Sequence, residues 1–466
     1  MHYPLFETSV YQLRRRRLRE LLPQRGLVFF PGNGESPMNY PHNTYPFRQD
    51  STFLYFTGLQ QPDLGLIMDL STGADYLIGD DATLDDLIWT GPVPCMAELA
   101  ELAGIAQSQP FSTGLTMLEQ AISRGRPLHY LPPYRQARVR LLADLLGRSC
   151  TEVEQGHSVV LIEAVIALRN HKSAEEVAQM EEALHTTQAM HLLAMQETQQ
   201  GWLESDLAGR VEGIAIAGGG RLAYPCIATV HGEILHNHAY HHRLAPGQLL
   251  LLDAGSSSRM HYASDITRTY PVASSFTTQQ AEIYAICLEA QRKAVAALRP
   301  GVPFKEVHLL AAKTIARGLK ELGLMKGDPA EAVAAGAHAL FFPHGLGHLI
   351  GLDVHDMEDL GEDRVGYGTE MKRSTQFGTS ALRLGRSLEE GFTLTVEPGI
   401  YFIPALMDRW QAQGQYRDFI IYSKLAAFRE FGGIRIEDNY LITDSGSRLL
   451  GPPIPKTLAE IESLRS

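Results

Sequence analysis

Two pairs of strand-like segments in the C-terminal half of the chain each carry acidic residues within an apolar pattern. In the first pair, the apolar run of LLLLDAG is followed by Asp253, and Asp265 comes 12 residues later in the alternating segment SDITRTYPV. In the second pair, TLTVEPGIYF carries Glu397 and GGIRIEDNYLI carries Glu437. Two connected antiparallel strands form a hairpin, so each pair can project both acids from one face. The pattern therefore predicts two hairpins that bring carboxylates together, with a long insertion in the second.

Between the two pairs lies the segment FFPHGLGHLIGLDVHD, which contains His344, His348 and His355. Gly345 and Gly347 disfavour a helix there, so a loop or strand that presents one histidine to the acids is expected. Burying like charges side by side is strongly unfavourable unless a cation lies between them. The alternatives are a solvated strand end for each acid and a core position for each histidine.

Four carboxylates and one imidazole form a hard, oxygen-rich ligand set, which suits Mn²⁺ and neighbouring divalent ions. A single catalytic Zn²⁺ usually has three protein ligands, so four acids are too many for it. They suit two ions about 3.5–4 Å apart that are bridged by carboxylates. The residue types therefore predict two divalent metal ions, with Mn²⁺ expected and Co²⁺ or Zn²⁺ as alternatives.

A chain of 466 residues favours two domains, or one large domain with an appendage. Up to about residue 160, segments such as GLVFFPGN, FLYFTGL and LGLIMDL predict strands, and MAELAELAGIA and VRLLADLLGR predict helices. Longer helical patterns follow, with Ser173 and Glu176 as a capping box, and then a strand-rich region from Leu340 to Thr443. We expect an α/β (α+β) chain, with a small N-terminal α/β domain over residues 1–160 and a second domain over residues 161–466.

The formal net charge of −12 disfavours nucleic acid and anionic membranes as partners, since both need clustered positive charge. The one basic run, Arg14 to Arg17, lies in an amphipathic helical pattern and is interpreted as a solvated helix face, with an interaction arm as the alternative. The cysteines are isolated from one another, and no signal-peptide core or membrane-spanning run is visible. These features favour a cytoplasmic protein.

In chain order, LLLLDAG, SDITRTYPV, HGLGHLIGLDVHD, TVEPGIYF and GGIRIEDN resemble the motifs of the proline-specific metallopeptidases, Xaa-Pro aminopeptidase (aminopeptidase P) and prolidase. The segment NYPHNTYPFRQDSTFLYFTGL resembles the N-terminal domain of aminopeptidase P, so the resemblance spans nearly the whole chain. It implies a small N-terminal aminopeptidase P-like domain followed by a domain with the pita-bread fold of creatinase and methionine aminopeptidase.

The resemblance also implies roles for individual residues, carried over motif by motif. The metal ligands it implies are Asp253, Asp265, His348, Glu397 and Glu437. The catalytic residues it implies are Glu397, His236, His355 and Arg435, and the substrate-binding residues are His236, His355, Arg383 and Arg386. Glu397 is expected to carry a proton as well, and His236 and His355 to contact the substrate and the developing oxyanion.

The activity implied by the resemblance is hydrolysis of the bond between an N-terminal residue and proline, by a dinuclear metallo-exopeptidase that takes peptides with proline in the second position. The alternative is a prolidase that accepts only dipeptides. A creatinase-like hydrolase without metals and a non-catalytic binding module are further rivals. In the family, the N-terminal domain of a neighbouring subunit helps to shape the entrance of the site, so a homodimer or homotetramer is expected.

Two departures from the family pattern bear on substrate length. Met357-Glu358 replaces the Gly-Gly that usually follows the HD motif, and the insertion from Pro404 to Glu430 resembles prolidase more than aminopeptidase P. A dipeptidase needs a positive group for the proline carboxylate, which Arg383, Arg386 or Arg435 can supply. The N-terminal motif is the longest uninterrupted match, and it favours the aminopeptidase.

Overall fold

A computed structural model of the protein describes residues 5–369 and 371–466. Internal contacts divide the chain into two units, of which the first ends at Arg169 and the second begins at Asn170. The boundary predicted at residue 160 lies near the start of the helix Val159–Arg169, which belongs to the first unit by its contacts. The domain ranges given by the sequence stay a prediction.

The first unit contains a five-stranded mixed sheet flanked by helices. Its strands are β1 (Leu27–Pro31), β2 (Pro37–Tyr40), β3 (Asn43–Thr44), β4 (Gly65–Asp69), β5 (Asp75–Ile78), β6 (Gln107–Gln109) and β7 (Leu128–His129). Its helices are α1 (Thr8–Leu21), α2 (Ser51–Thr57), α3 (Leu84–Thr90), α4 (Met96–Ala103), α5 (Phe111–Ser123), α6 (Gln136–Leu146), α7 (Cys150–Gln155) and α8 (Val159–Arg169). The sheet order is β6-β5-β4-β1-β7, and β1 and β4 carry the continuous apolar runs LVFF and GLIM because both of their faces are covered.

The prediction of a strand for the segment FLYFTGL is wrong, because this segment forms helix α2. The Asp50 side chain accepts a hydrogen bond from the Phe53 amide at 2.8 Å and caps the helix, and Gly58 ends it with a φ of +74°. Residues 52–57 are all buried, so the apolar run has no period that would distinguish a buried helix from a buried strand.

The basic run is only half a solvated helix face. Arg16 and Arg17 are exposed, whereas Arg14 and Arg15 are buried. The Arg15 guanidinium donates to the carbonyl groups of Phe56, Ala103 and Gly104, and to the Asp75 carboxylate at 2.8 Å. Arginine has five donors in a planar fork, and here they satisfy carbonyl groups at the ends of α2 and α4. The interpretation as a fully solvated face is therefore wrong for these two residues.

The second unit combines long helices with three small antiparallel sheets. Its strands are β8 (Ile227–Thr229), β9 (Leu249–Asp253), β10 (Thr267–Pro271), β11 (Thr393–Val396), β12 (Gly399–Tyr401), β13 (Gly433–Arg435), β14 (Asp438–Ile442) and β15 (Ser447–Leu449). Its helices are α9 (Ala174–Glu197), α10 (Glu204–Ala217), α11 (Thr278–Ala297), α12 (Phe304–Glu321), α13 (Pro329–Ala335), α14 (Glu362–Tyr367), α15 (Pro404–Gln413), α16 (Tyr422–Leu425) and α17 (Leu458–Arg465). The predicted capping box of Ser173 and Glu176 is confirmed at the start of α9.

Both predicted hairpins are present. Strand β9 pairs antiparallel with β8 and β10, and β11 pairs antiparallel with β14. The insertion in the second hairpin is helical, with α15 and α16 between β12 and β13. The strand-rich region predicted to begin at Leu340 begins only at Thr393, because residues 340–392 form loops and short helical turns in the described part of the chain.

The cysteines at positions 95, 150, 226 and 287 are all free thiols, in agreement with the absence of paired spacings in the sequence. Over residues 5–369 and 371–466, the helices are all too short or too polar to cross a bilayer.

Candidate metal centre

The first hairpin of the second unit presents two carboxylates at one end. Asp253 is the last residue of β9 and pairs in register with Thr267, the first residue of β10, so Asp265 lies just before the paired strand. The Asn439 side chain holds Asp265 by its backbone, since it accepts from the Asp265 amide at 3.0 Å and donates to the Asp265 carbonyl at 2.6 Å. Both carboxylates are buried.

The second hairpin presents two further carboxylates. Val396 of β11 pairs with Asp438 of β14, so the next residues outward, Glu397 and Glu437, lie opposite each other beyond the last paired residues. The Glu437 amide donates to the Thr267 carbonyl at 3.0 Å. That hydrogen bond joins the carboxylate-bearing ends of the two hairpins.

His348 comes from the glycine-rich loop that was expected to present a histidine. The loop is attached to β11, because the His348 amide donates to Thr395 Oγ1 at 3.1 Å and the Thr395 amide donates to the His348 carbonyl at 3.0 Å. His348 Nδ1 lies 3.0 Å from the Leu349 carbonyl and can donate to it, which leaves Nε2 facing Asp265 Oδ2 at 3.3 Å. A histidine fixed in this way has its Nε2 lone pair available to a cation.

Three of the five predicted ligands form a compact group. Asp265, His348 and Glu437 each offer one ligand atom, and these atoms all lie within 4.8 Å of one another. Glu397 Oε1 lies 3.7 Å from His348 Nε2 and extends the group, while the Glu397 side chain keeps 18% of its surface exposed. The structure therefore brings the acids of both hairpins and the loop histidine to one place.

Burial and mutual repulsion perturb these groups strongly. Burial raises the pKa of Glu437 well above its usual value, and the charges of Asp265, Glu397 and Asp253 raise it further. Burial likewise raises the pKa of Glu397 to about 7. Burial alone would lower the pKa of His348, but its contact with Asp265 and the charge of Glu397 outweigh burial and raise that pKa to about 9. The group has more buried negative charge than its protein cations neutralise.

The chemistry of the donor set fits divalent cations. Glu437 Oε1 is buried and has no hydrogen-bond partner among the described residues, a costly state that a bound cation would relieve. Oxygen donors from four carboxylates and one imidazole nitrogen are typical ligands of hard divalent ions. The residues present at the site can therefore hold such ions without rearrangement of the fold.

Sequence reasoning missed Tyr224, which lies three residues before β8. The Tyr224 hydroxyl lies 2.6 Å from Asp253 Oδ1 and 2.5 Å from Asp265 Oδ1, so it spans both carboxylates of the first hairpin. Burial, together with the charges of these acids, raises the pKa of Tyr224 well above its usual value, and the hydroxyl stays protonated. The segment AYPCIATV offered one signal, a tyrosine just before a strand that pairs with β9.

Arg435 connects the carboxylates to a second network. Its guanidinium lies 2.6 Å from Asp253 Oδ2, and it donates to the Tyr401 hydroxyl at 2.9 Å and to Thr267 Oγ1 at 3.1 Å. His344 Nε2 lies 2.8 Å from the same Tyr401 hydroxyl. His344 therefore belongs to the layer of residues that surrounds the acids.

The remaining predicted residues differ in their contacts and in their exposure. The His355 ring centroid is 4.2 Å from that of His348. His236 is exposed. Partial burial of its ring and the charge of Arg435 lower its pKa, and the charge of Asp253 opposes this change. Arg383 contacts Glu358 at 2.5 Å.

Arg386 is the predicted residue that the structure does not bring to the acids. It pairs with Glu389 at 2.8 Å and lies over the ring of Phe392, among the contacts of the described residues.

Comparison with known proteins identifies the family. The family model "Metallopeptidase family M24" matches residues 178–444, and "Aminopeptidase P, N-terminal domain" matches residues 11–129. The Xaa-Pro aminopeptidase of Escherichia coli is 33% identical over 438 residues, which cover 90% of this chain and 89% of that protein. The Xaa-Pro dipeptidase of Homo sapiens is 30% identical over 484 residues, which cover 98% of this chain and 93% of that protein.

The solved structure of Pseudomonas aeruginosa aminopeptidase PepP superposes with a TM-score of 0.82 at 28% identity, over 100% of this chain and 99% of that one. The expected fold, a small N-terminal domain followed by a pita-bread domain, is thereby confirmed. Both family matches lie in the expected order along the chain, and the first unit of the structure carries the N-terminal match. The chain thus belongs to metallopeptidase family M24, within the aminopeptidase P and prolidase family of metallo-exopeptidases.

Proposed function

We propose that this protein is a Xaa-Pro aminopeptidase that hydrolyses the bond between an N-terminal residue and proline with two divalent metal ions. The observation that carries the proposal is the convergence of acids from two hairpins around His348, with one buried Glu437 oxygen left without a partner. The names of the relatives from Escherichia coli and Pseudomonas aeruginosa support the choice of substrate.

The proposed metal ligands are Asp253, Asp265, His348, Glu397 and Glu437. Two divalent cations held by such a set supply Lewis-acid polarisation of a carbonyl group and a nucleophile derived from water near neutral pH. We propose Mn²⁺ as the ion, because the donors are mostly hard carboxylate oxygens, with Co²⁺ and Zn²⁺ as alternatives.

Glu397 is proposed to move the proton. Its side chain is partly open, and it lies 3.7 Å from His348 and 3.8 Å from His344, so it can reach both the buried acids and a bound peptide. The leaving nitrogen of proline belongs to a tertiary amide without an N–H, so it must receive a proton before it departs. A carboxyl group that accepts a proton and returns it to this nitrogen fulfils that requirement.

Two histidines are proposed to hold the substrate. His355 lies on the open side of His348, with its side chain 36% exposed, where it can donate to an oxyanion that develops on the scissile carbonyl. His236 lies in the exposed loop after β8 and can contact the N-terminal residue. Arg435 is proposed to act through Asp253, which it holds in place, and not by touching the peptide.

A homodimer or homotetramer is proposed from the surface of α3. The side chains of Leu84, Ile88 and Trp89 are exposed on this helix, and none of its residues is buried. Exposed apolar surface of this kind marks an interaction site in many proteins, and a second copy of the chain is the partner that we propose. The four free thiols support the proposed cytoplasmic location.

The decisive assay uses matched peptides. We expect hydrolysis of a tetrapeptide with proline in the second position, and a loss of at least about a hundredfold in kcat/KM when alanine replaces that proline. Equal hydrolysis of the two peptides, or of neither with Mn²⁺ present, would contradict the proposed function. The dipeptidase alternative is supported by the human relative, and it predicts that only the Xaa-Pro dipeptide is cleaved.

A further inference from the structure

Glu358 places a carboxylate where the resemblance to the family predicts a glycine. It begins a short helical turn, Glu358–Leu360, and its carboxylate lies between two of the predicted substrate-binding residues. Glu358 Oε2 is 3.4 Å from His355 Nδ1 and 2.5 Å from Arg383 Nη1.

The backbone at this point keeps the conformation that glycine favours. Met357, immediately before Glu358, has a φ of +63°, in the left-handed region, and its side chain is fully buried. A non-glycine residue in this region pays a steric cost that glycine does not. The loop therefore follows a glycine-like path while carrying two large side chains, one directed into the core and one directed at Arg383.

Arg383 is occupied by more than one acid. Glu362 Oε2 also lies 3.1 Å from Arg383 Nη1, and the other oxygen of Glu362 contacts Arg373. Arg373 in turn pairs with Asp363 at 2.6 Å. One guanidinium group thus faces two carboxylates, Glu358 and Glu362, and its positive charge is neutralised locally.

This network borders the proposed metal centre. The His355 ring packs edge-on against the His348 ring, with the ring planes 66° apart, so one imidazole ring separates Glu358 from a proposed metal ligand. The side chains of Glu358 and Arg383 keep 20% and 33% of their surface exposed, so both are accessible from solvent. The carboxylate of a Xaa-Pro dipeptide lies one residue, about 3.5 Å of chain, beyond the scissile bond. Its negative charge would then lie near this network.

We propose that Glu358 is a specificity-determining residue, which neutralises Arg383 and thereby disfavours substrates that end in a free proline carboxylate. The inference rests on the proposed function and names the substrate class more closely, as peptides that continue beyond proline. A dipeptide would bring a third carboxylate to a guanidinium group already paired with Glu358 and Glu362. A longer peptide has a neutral amide at that position and meets no such repulsion.

The test compares an Xaa-Pro dipeptide, the same dipeptide with a C-terminal amide, and the peptide extended by two residues. Wild-type protein is expected to cleave the amide and the extended peptide with a kcat/KM at least about tenfold above that of the free dipeptide. In Glu358→Gln, the free dipeptide should gain about tenfold relative to the extended peptide, since a charge-assisted hydrogen bond becomes available from Arg383. Glu362→Gln should shift the ratio in the same direction and leaves the His355 contact in place.

Two further variants locate the effect. Arg383→Met in the Glu358→Gln background should remove the gain for the dipeptide. Glu197→Gln is the matched control, because it removes an acid that pairs with Arg210, outside the predicted substrate-binding residues, and it should leave the ratio at the wild-type value. A change in kcat that is equal for all three peptides reports the contact between Glu358 and His355, and it cancels in the ratio.

The outcomes separate the inference from the proposed function. If wild-type protein cleaves none of the three peptides, the proposed function is wrong. If it cleaves them but the ratio of dipeptide to extended peptide stays within twofold of wild type in both Glu358→Gln and Glu362→Gln, the inference about Glu358 is overturned. A wild-type preference for the free dipeptide over its amide would overturn it without any variant.

Discussion

Arg435 Nη2 lies 2.6 Å from Asp253 Oδ2, in an ion pair whose side chains are almost fully buried. The pair joins the second hairpin to the first, since Arg435 is the last residue of β13 and Asp253 is the last residue of β9. A buried charge is tolerated only when it is paired and hydrogen-bonded. The two hairpins therefore depend on each other for the charge balance at their carboxylate-bearing ends.

Arg435→Met should destabilise the metal-free protein by about 3–5 kcal/mol, because it leaves Asp253 buried without its cation. The free energy of unfolding from urea titration measures the effect. Arg429→Met is the control, since its pair with Asp408 is exposed and should contribute little to stability. Equal stability of the two variants would show that the Asp253 pair contributes no more than a surface pair.

Tyr224→Phe should weaken metal binding by about 10–100-fold while the fold stays intact, because the lost hydroxyl orients both carboxylates of the first hairpin. Competition with a chelator measures the affinity. Tyr284→Phe removes a comparable buried hydroxyl that donates to the Lys456 carbonyl, and it should leave the affinity unchanged. The same loss in both variants would indicate a general effect on stability.

The sequence was sufficient for the parts of the site that depend on local pattern. Alternation and strand-ending turns located both hairpins, and the glycines beside His344 and His348 favoured a loop over a helix. These features depend on residues close together in the chain. The ordered motifs then identified the family, which no local pattern alone would do.

Other features depend on residues that are distant in sequence. Tyr224 reaches Asp265 across 41 positions, and Arg15 reaches Gly104 across 89, so no short-range pattern predicts either contact. The helix α2 was predicted as a strand because a segment buried on all sides loses the alternation that distinguishes the two. Arg383 likewise forms ion pairs with Glu358 and Glu362, which lie 25 and 21 positions earlier in the chain.

Acid should destabilise the protein through His308 and His338. Both are fully buried, and their ring nitrogens have no hydrogen-bond partner among the described residues. Burial lowers the pKa of His338 to about 4, and burial together with the charges of His338, His344 and Lys305 lowers the pKa of His308 to about 3.

The direction of this change in stability with pH depends on which state, folded or unfolded, binds more protons. Between about pH 6.5 and pH 4 the unfolded chain protonates these histidines and the folded chain does not, so stability is fully present above pH 6.5 and decreases as the pH falls. Each histidine contributes a slope of about 1.4 kcal/mol per pH unit in that window. His308→Leu should reduce the slope of the free energy of unfolding against pH, and an unchanged slope would show that His308 is protonated in the folded protein.

His355→Ala should retain metal content and lower kcat by about 10²–10³-fold, since we place this residue against the oxyanion and not among the ligands. Glu397→Gln should lower kcat as well, but it should also change metal binding. Metal analysis beside single-turnover kinetics measures both. Wild-type turnover in His355→Ala, or loss of its metal, would contradict the role that we propose for it.

The most direct test titrates Mn²⁺ into metal-stripped protein while metal binding and turnover of an Xaa-Pro tetrapeptide are followed together. We expect two ions per chain in the wild type, with turnover absent from the stripped protein and restored as the ions bind. Glu437→Gln should bind fewer ions and lose turnover with them, because it removes the buried carboxylate that lacks a protein partner. Undiminished turnover in the stripped protein, or a wild type that binds no Mn²⁺, Co²⁺ or Zn²⁺, would contradict the account.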